Sequence, residues 1–106
     1  LGPNGQNIYP EEIEAKFDNM PYVLESLVIQ AEGKLVALIC PNYEDIDAQK
    51  LTQEDVERIM EENRKTVNEQ LAAYEQIARV KLYNHEFEKT PKRSIKRFLY
   101  TNIANS

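Results

Sequence analysis

With 106 residues, 42% of them hydrophobic and 29% charged, the chain is of a size for one domain with a single modest core. No apolar run approaches the roughly 20 residues of a membrane-crossing helix, and no signal-peptide pattern opens the sequence, so a cytoplasmic protein without a transmembrane segment is expected. The formal net charge of −5 is polarised: seven Lys/Arg against two Glu from Arg79 onward give +5, which leaves −10 for everything before.

Residues 1–7 are rich in turn formers and lack an initiating Met, which reads as a cut at a loop and predicts a domain taken from a longer protein. Tyr9-Pro10-Glu11-Glu12 then looks like a helix start, with proline presetting φ and carboxylates at the positive end of the helix dipole. Ile13, Phe17 and Met20 recur at helical spacing and predict a short amphipathic helix that ends before Pro21. A hairpin follows. Residues 23–31 are β-rich, Glu32-Gly33 supplies a turn, and residues 34–40 answer as a second strand stopped by Pro41-Asn42. Leu27 and Ile29 share one face and Val28 the other, while the second strand is apolar throughout, so at least one strand is expected to be covered on both sides. Cys40, the only cysteine, lies in that run and reads as a buried, inert thiol that excludes an internal disulfide.

Residues 43–50 are acidic and irregular and are expected to form a loop. Thr52-Gln53-Glu54-Asp55 resembles a capping box at the head of a long helix. Val56, Ile59, Met60, Asn63, Val67 and Leu71 form its inward stripe, and Glu57, Glu61, Arg64, Lys65 and Glu69 a solvated face supported by a Glu61 to Lys65 pair. Residues 77–83 predict a third strand through Ile77, Val80, Leu82 and Tyr83. The lone His85 after it has no companion ligands, which argues against a metal site. A basic loop follows, then a short helix over residues 94–100 and a frayed end from Thr101 to Ser106.

This order predicts an α+β fold: a small, three-stranded, mainly antiparallel sheet backed by helices, all in one domain spanning residues 1–106. No nucleophile–base set, glycine-rich phosphate loop or paired-acid site can be assembled from these residues. The chemical asset is the stretch Glu88-Lys89-Thr90-Pro91-Lys92-Arg93-Ser94-Ile95-Lys96-Arg97. Nucleic acid is a poor match for it, because one aromatic pair, Phe98 and Tyr100, is too few for a stacking platform. A few cations delivered to a phosphate or carboxylate fit better.

The opening Gly5-Gln6-Asn7-Ile8-Tyr9-Pro10-Glu11-Glu12-Ile13-Glu14 resembles the signature that begins the small carboxyl-terminal domain of adenylate-forming enzymes. Tyr74-Glu75-Gln76-Ile77 after the long helix and Glu86-Phe87-Glu88-Lys89-Thr90-Pro91 before the basic loop are similar to the pattern of long-chain acyl-CoA synthetases within that superfamily. The three motifs stand in the family's order and the resemblance runs from about Gly5 to Tyr100.

The resemblance implies a mobile lid for a large amino-terminal adenylation domain. The lid closes to form an acyl-adenylate from ATP, with Mg, and a fatty acid, then rotates to admit coenzyme A, or an acyl-carrier protein, for thioester formation. Family members commonly carry a catalytic lysine where this chain has Ser94, and a hydroxyl cannot supply its charge. Lys92 or Lys96, two residues to either side, is expected to substitute, with Lys92 favoured because Lys96 and Arg97 already have counterparts in the pattern; otherwise adenylate formation is weak. Arg93 and Arg97 are expected to contact phosphate. The alternatives are that these cations form only a solvated face with a phosphate contact for coenzyme A, or that the chain is a stand-alone module binding an anionic partner through its basic loop.

Overall fold

The computed structural model describes residues 8–31, 33–91, 95, 99 and 100. Helix α1 (Pro10–Asp18) has Pro10 in its first turn, and Ile13 and Phe17 are wholly buried on its inner face. After Asn19 caps it, the chain passes through Tyr22 at φ +63° into strand β1 (Val23–Ala31). Strand β2 (Lys34–Pro41) pairs antiparallel with β1, Ala31 facing Lys34. Gly33 sits in the turn at φ +79°, a backbone conformation that only glycine adopts without steric cost.

The stretch after β2 is not the loop that its composition suggested. Tyr43–Ala48 forms a one-and-a-half-turn helix, α2, because Asn42 caps it by accepting the Asp45 N–H and Ile46 anchors it in the core. Helix α3 (Gln53–Glu69) begins at the expected capping box, with the Thr52 hydroxyl and the Asp55 carboxylate each accepting the other's backbone N–H at 3.1 Å. Val56, Met60, Asn63 and Val67 are buried along it, and Ile59 and Leu71 are half-buried. The buried Asn63 amide donates to the Pro21 carbonyl, fastening α3 to the turn after α1. On the outer face, Glu61 binds Arg64 rather than the expected Lys65, and Arg64 is half-buried because it also donates to the Ile77 carbonyl.

A 3-10 turn at Ala73–Glu75 leads into β3 (Ile77–Leu82). The Tyr74-Glu75-Gln76-Ile77 motif has a clear job there. The Gln76 side chain donates to the Asn68 carbonyl in the last turn of α3 and to the Leu71 carbonyl just beyond its end, and the Asn68 amide both accepts from and donates to the Ile77 peptide. Strand β3 pairs parallel with β2, so the three-stranded sheet, in the order β1-β2-β3, is mixed, with the antiparallel β1–β2 pairing the longer and one parallel pair beside it. The connection is the cause: a strand returned by an intervening helical layer re-enters beside its predecessor in the same direction.

Every residue of β2 after Lys34 is buried. Leu35, Ala37 and Ile39 face the helices with Ile13, Phe17, Ile46, Met60 and Val67. Val36, Leu38 and Cys40 face the opposite way, with Leu27, Ile29 and Ala31, beneath Phe87 and Tyr100. Burial raises the Cys40 thiol above its ordinary range, helped by the charges of Glu25 and Glu86.

Polar contacts bind α1 to β1. The buried Glu14 carboxylate accepts the Val28 N–H at 2.8 Å, and the buried Ser26 hydroxyl lies 2.8 Å from Asp18 Oδ1 and 3.1 Å from the Glu14 carbonyl. Glu14→Ala removes an acceptor from a buried N–H and is expected to cost about 1–3 kcal/mol in urea denaturation, with Glu14→Gln milder. Asp18, desolvated by its packing, has its carboxyl raised above 3.8, opposed by the Ser26 hydrogen bond and aided by the Glu25 charge. The folded state therefore holds this proton more tightly, and the resulting stability is lost as pH rises through the raised value. Asp18→Asn is expected to raise the melting temperature at neutral pH, with the gap closing below the ordinary carboxyl range of about pH 4 in a pH series.

Candidate functional site

The chain after β3 doubles back over the second face of the sheet. Tyr83 donates its backbone N–H to the Ile39 carbonyl, the last tie to β2. Tyr83 and Phe87 then stack with ring centroids 5.4 Å apart and planes 7° apart, and Tyr100 meets both rings edge-on. Such offset and edge contacts are the favoured aromatic geometries, and here they roof Val36, Leu38 and Cys40. His85 packs edge-on against Tyr83 and is otherwise exposed.

This roof holds the base of the basic segment. The Tyr100 hydroxyl accepts the Glu88 N–H at 2.6 Å. Lys89 pairs with Ile95 in an antiparallel bridge, and Ile95 packs against the aromatic cluster. The bridge fastens Lys89 to Ile95, six residues on. The Glu25 carboxylate on β1 accepts the Phe87 N–H at 3.1 Å and forms an ion pair with Lys89, whose ammonium also donates to the Phe87 carbonyl at 3.2 Å. Lys89 is thus committed to the scaffold.

Glu25 reaches this position through an irregularity. Strict alternation from Leu27 and Ile29 would place both Glu25 and Val23 beneath the roof, yet Val23 packs among the helices. The register shifts between Val23 and Glu25, leaving Leu24 as the extra, exposed residue. A bulge of this kind re-aims side chains, here sending Val23 to one face and Glu25 to the other.

Lys92, Arg93, Ser94, Lys96 and Arg97, the residues singled out by sequence, lie outside the described residues, as do most of the expected helix over 94–100, the end from Thr101 and the glycine of the opening signature. Sequence reasoning missed Glu25 and Tyr100 as partners of the Phe87–Lys89 stretch. Lys89 stood within a quoted motif, but nothing in the sequence linked it to a carboxylate on β1. Among the described residues, no three His, Cys, Asp or Glu side chains are placed to hold a metal ion, and no helix is long and apolar enough to cross a membrane. Two lysines and two arginines fit phosphate oxygens and do not fit Mg2+, which takes oxygen ligands.

The profile of the AMP-binding enzyme C-terminal domain matches residues 3–102. The chain belongs to this family of C-terminal domains of adenylate-forming enzymes. Similar folds occur in the anthranilate CoA ligase AuaEII bound to anthranoyl-AMP (TM-score 0.75, 24% identity, 99% of this chain and 20% of that one) and in an acyl-CoA synthetase from Brucella canis (0.67, 24%, 97% and 18%). The adenylation domain of a carboxylate reductase from Mycobacterium chelonae is a third (0.75, 15%, 91% and 16%). The chain spans a fifth or less of the length of these proteins. A comparison with curated proteins found no match.

The Tyr100 hydroxyl gives a direct test of the roof. Tyr100→Phe keeps the ring contacts and is expected to lose about 0.5–1.5 kcal/mol together with amide protection at Glu88. Tyr100→Ala also opens the core and is expected to lose about 3–5 kcal/mol, read by denaturant unfolding with hydrogen exchange.

Proposed function

We propose that this chain is the mobile lid of an ATP-dependent acid–thiol ligase of the acyl-CoA synthetase type acting on long-chain fatty acids. The observation that supports the reading best is the fastened base of the basic segment, Lys89 against Ile95, in a domain of the AMP-binding C-terminal family. The larger adenylation domain, the missing partner in this reading, binds ATP, Mg2+ and the acid.

In the closed arrangement the fatty acid carboxylate attacks the α-phosphorus of ATP and pyrophosphate leaves. A cation from the lid neutralises charge shared between carboxylate and phosphate while closure excludes water. Lys92 fills this role in place of the absent lysine at Ser94, with Lys96 the second candidate. Lys89 is a poor substitute, since its charge is already balanced by Glu25. The lid then rotates, the coenzyme A thiol attacks the acyl carbon, and AMP leaves. Arg93 and Arg97 serve as phosphate contacts, for which planar guanidinium forks are suited. A carrier-protein thiol could replace coenzyme A by the same chemistry, and a cytoplasmic setting agrees with both.

The test uses the full-length enzyme with ATP and a panel of fatty acids, with adenylate and thioester formation measured separately. Lys92→Ala is expected to slow adenylate formation by about 10²–10³-fold while thioester formation from supplied acyl-adenylate stays near wild type. Normal adenylate formation in both Lys92→Ala and Lys96→Ala would remove the assigned charge from the mechanism. Turnover by residues 1–106 alone, or tight anion binding by them with no ligase activity in the full-length protein, would favour the stand-alone module.

A further inference from the structure

We propose that Glu25 is the positioning residue of the basic segment, fixing its base from the far edge of the sheet through Phe87 and Lys89. The inference rests on the reading that this segment works on an anion, and it adds a residue 64 positions away from Lys89 that no sequence motif singles out.

One carboxylate makes both contacts. Oε2 accepts the Phe87 N–H, and Oε1 pairs with Lys89, whose ammonium returns to the Phe87 carbonyl. These ties close a small ring of polar contacts around the peptide of Phe87. Lys89 is also the residue whose backbone bridges Ile95, so the ion pair and the base of the segment share one residue. A slip of Lys89 moves the base of the segment, and a misplacement of about 1 Å at a reacting centre can cost 10²-fold in rate.

Stability alone is a weak reason to keep a carboxylate here. The Glu25 side chain is only 16% exposed. Its charge lies close enough to Asp18 and Cys40 to hinder their ionisation, and Glu86 is a further acidic neighbour of Cys40. Attraction to the part-exposed Lys89 is a small reason to hold a carboxylate that is itself largely buried, because replacing a buried ion pair by packed hydrocarbon is often neutral or stabilising. What hydrocarbon cannot do is fix the Phe87 amide and the Lys89 ammonium in one geometry. The bulge at Leu24 serves the same end, since it aims Glu25 at the segment while Val23 stays in the helical core.

The experiment compares Glu25→Ala, Glu25→Gln, Lys89→Met and Glu25→Gln/Lys89→Met in the full-length protein. Glu25→Ala is expected to lower kcat for adenylate formation by about 10–100-fold while KM for ATP and for the acid changes less than about 3-fold. Glu25→Gln keeps an acceptor for Phe87 and should recover part of the loss, and the double variant should be no worse than the poorer single one. Amide exchange in the same proteins should accelerate by about 10-fold or more at Phe87, Glu88 and Ile95 and stay unchanged in β2. Unchanged exchange at those three amides overturns the proposal whether or not the protein is a ligase. Faster exchange with kcat intact, or kcat lost only in proportion to a lowered melting temperature, also overturns it. A wild-type protein that forms no adenylate defeats the ligase reading instead, and exchange then decides whether Glu25 holds the segment.

Discussion

The fold depends on covering a central strand that is apolar on both faces. Strand β2 presents Leu35, Ala37 and Ile39 to the helices and Val36, Leu38 and Cys40 to the other side. At roughly 25 cal/mol per Å2 of apolar surface, leaving the second set in water would forfeit several kcal/mol in a domain of marginal stability. Helices α1 and α3 satisfy the first face. On the second, the chain after β3 lays three aromatic rings across the sheet. The segment that seals the core is therefore the one that leads into the basic stretch, and the anchoring of that stretch follows from a packing requirement.

Much of this was legible in the sequence, and the exceptions have physical causes. Helices α1 and α3 declared themselves through Pro10, the Thr52 capping box and inward residues at helical spacing. The double burial of β2 was readable from its unbroken apolar run. Helix α2 escaped notice because one inward residue, Ile46, makes no period, although Asn42 ahead of acidic Glu44 and Asp45 was a usable cap signal. Pairing direction is not encoded in a strand's own residues, so the parallel β2–β3 contact had to come from the crossover. Arg64 displaced Lys65 as the partner of Glu61 because its guanidinium fork can also reach the Ile77 carbonyl.

The candidate site was half legible. The basic stretch stands out against an acidic chain, whereas the contacts of Phe87, Glu88 and Lys89 at its base come from β1 and Tyr100. Contacts across more than sixty residues leave no spacing to read, and the bulge at Leu24 breaks the alternation that would have shown where Glu25 points. The three carboxylates that meet the β1 side of the sheet illustrate the point. Glu14 and Asp18 act on the helical face through Val28 and Ser26, and Glu25 acts on the opposite face through Phe87 and Lys89. Composition sees three acids, and only the strand's geometry separates their tasks.

That same geometry sorts the charge of the domain. Glu54, Glu57, Glu62 and Glu69 are exposed on α3, on the helical side of the sheet. Arg79 and Lys81 on β3 are in register with Val36 and Leu38, and so share the face over which Phe87, Lys89 and Tyr100 lie. A sheet and a helical layer stand between the two groups, a separation comparable to or greater than the Debye length of about 8 Å at physiological ionic strength. Neither face is of one sign, however: Glu25 and Glu86 act on Cys40 beneath the roof, and Arg58, Arg64 and Lys65 stand among the carboxylates of α3. The aromatic roof nonetheless holds the base of the basic stretch, through the Tyr100 hydroxyl on the Glu88 N–H.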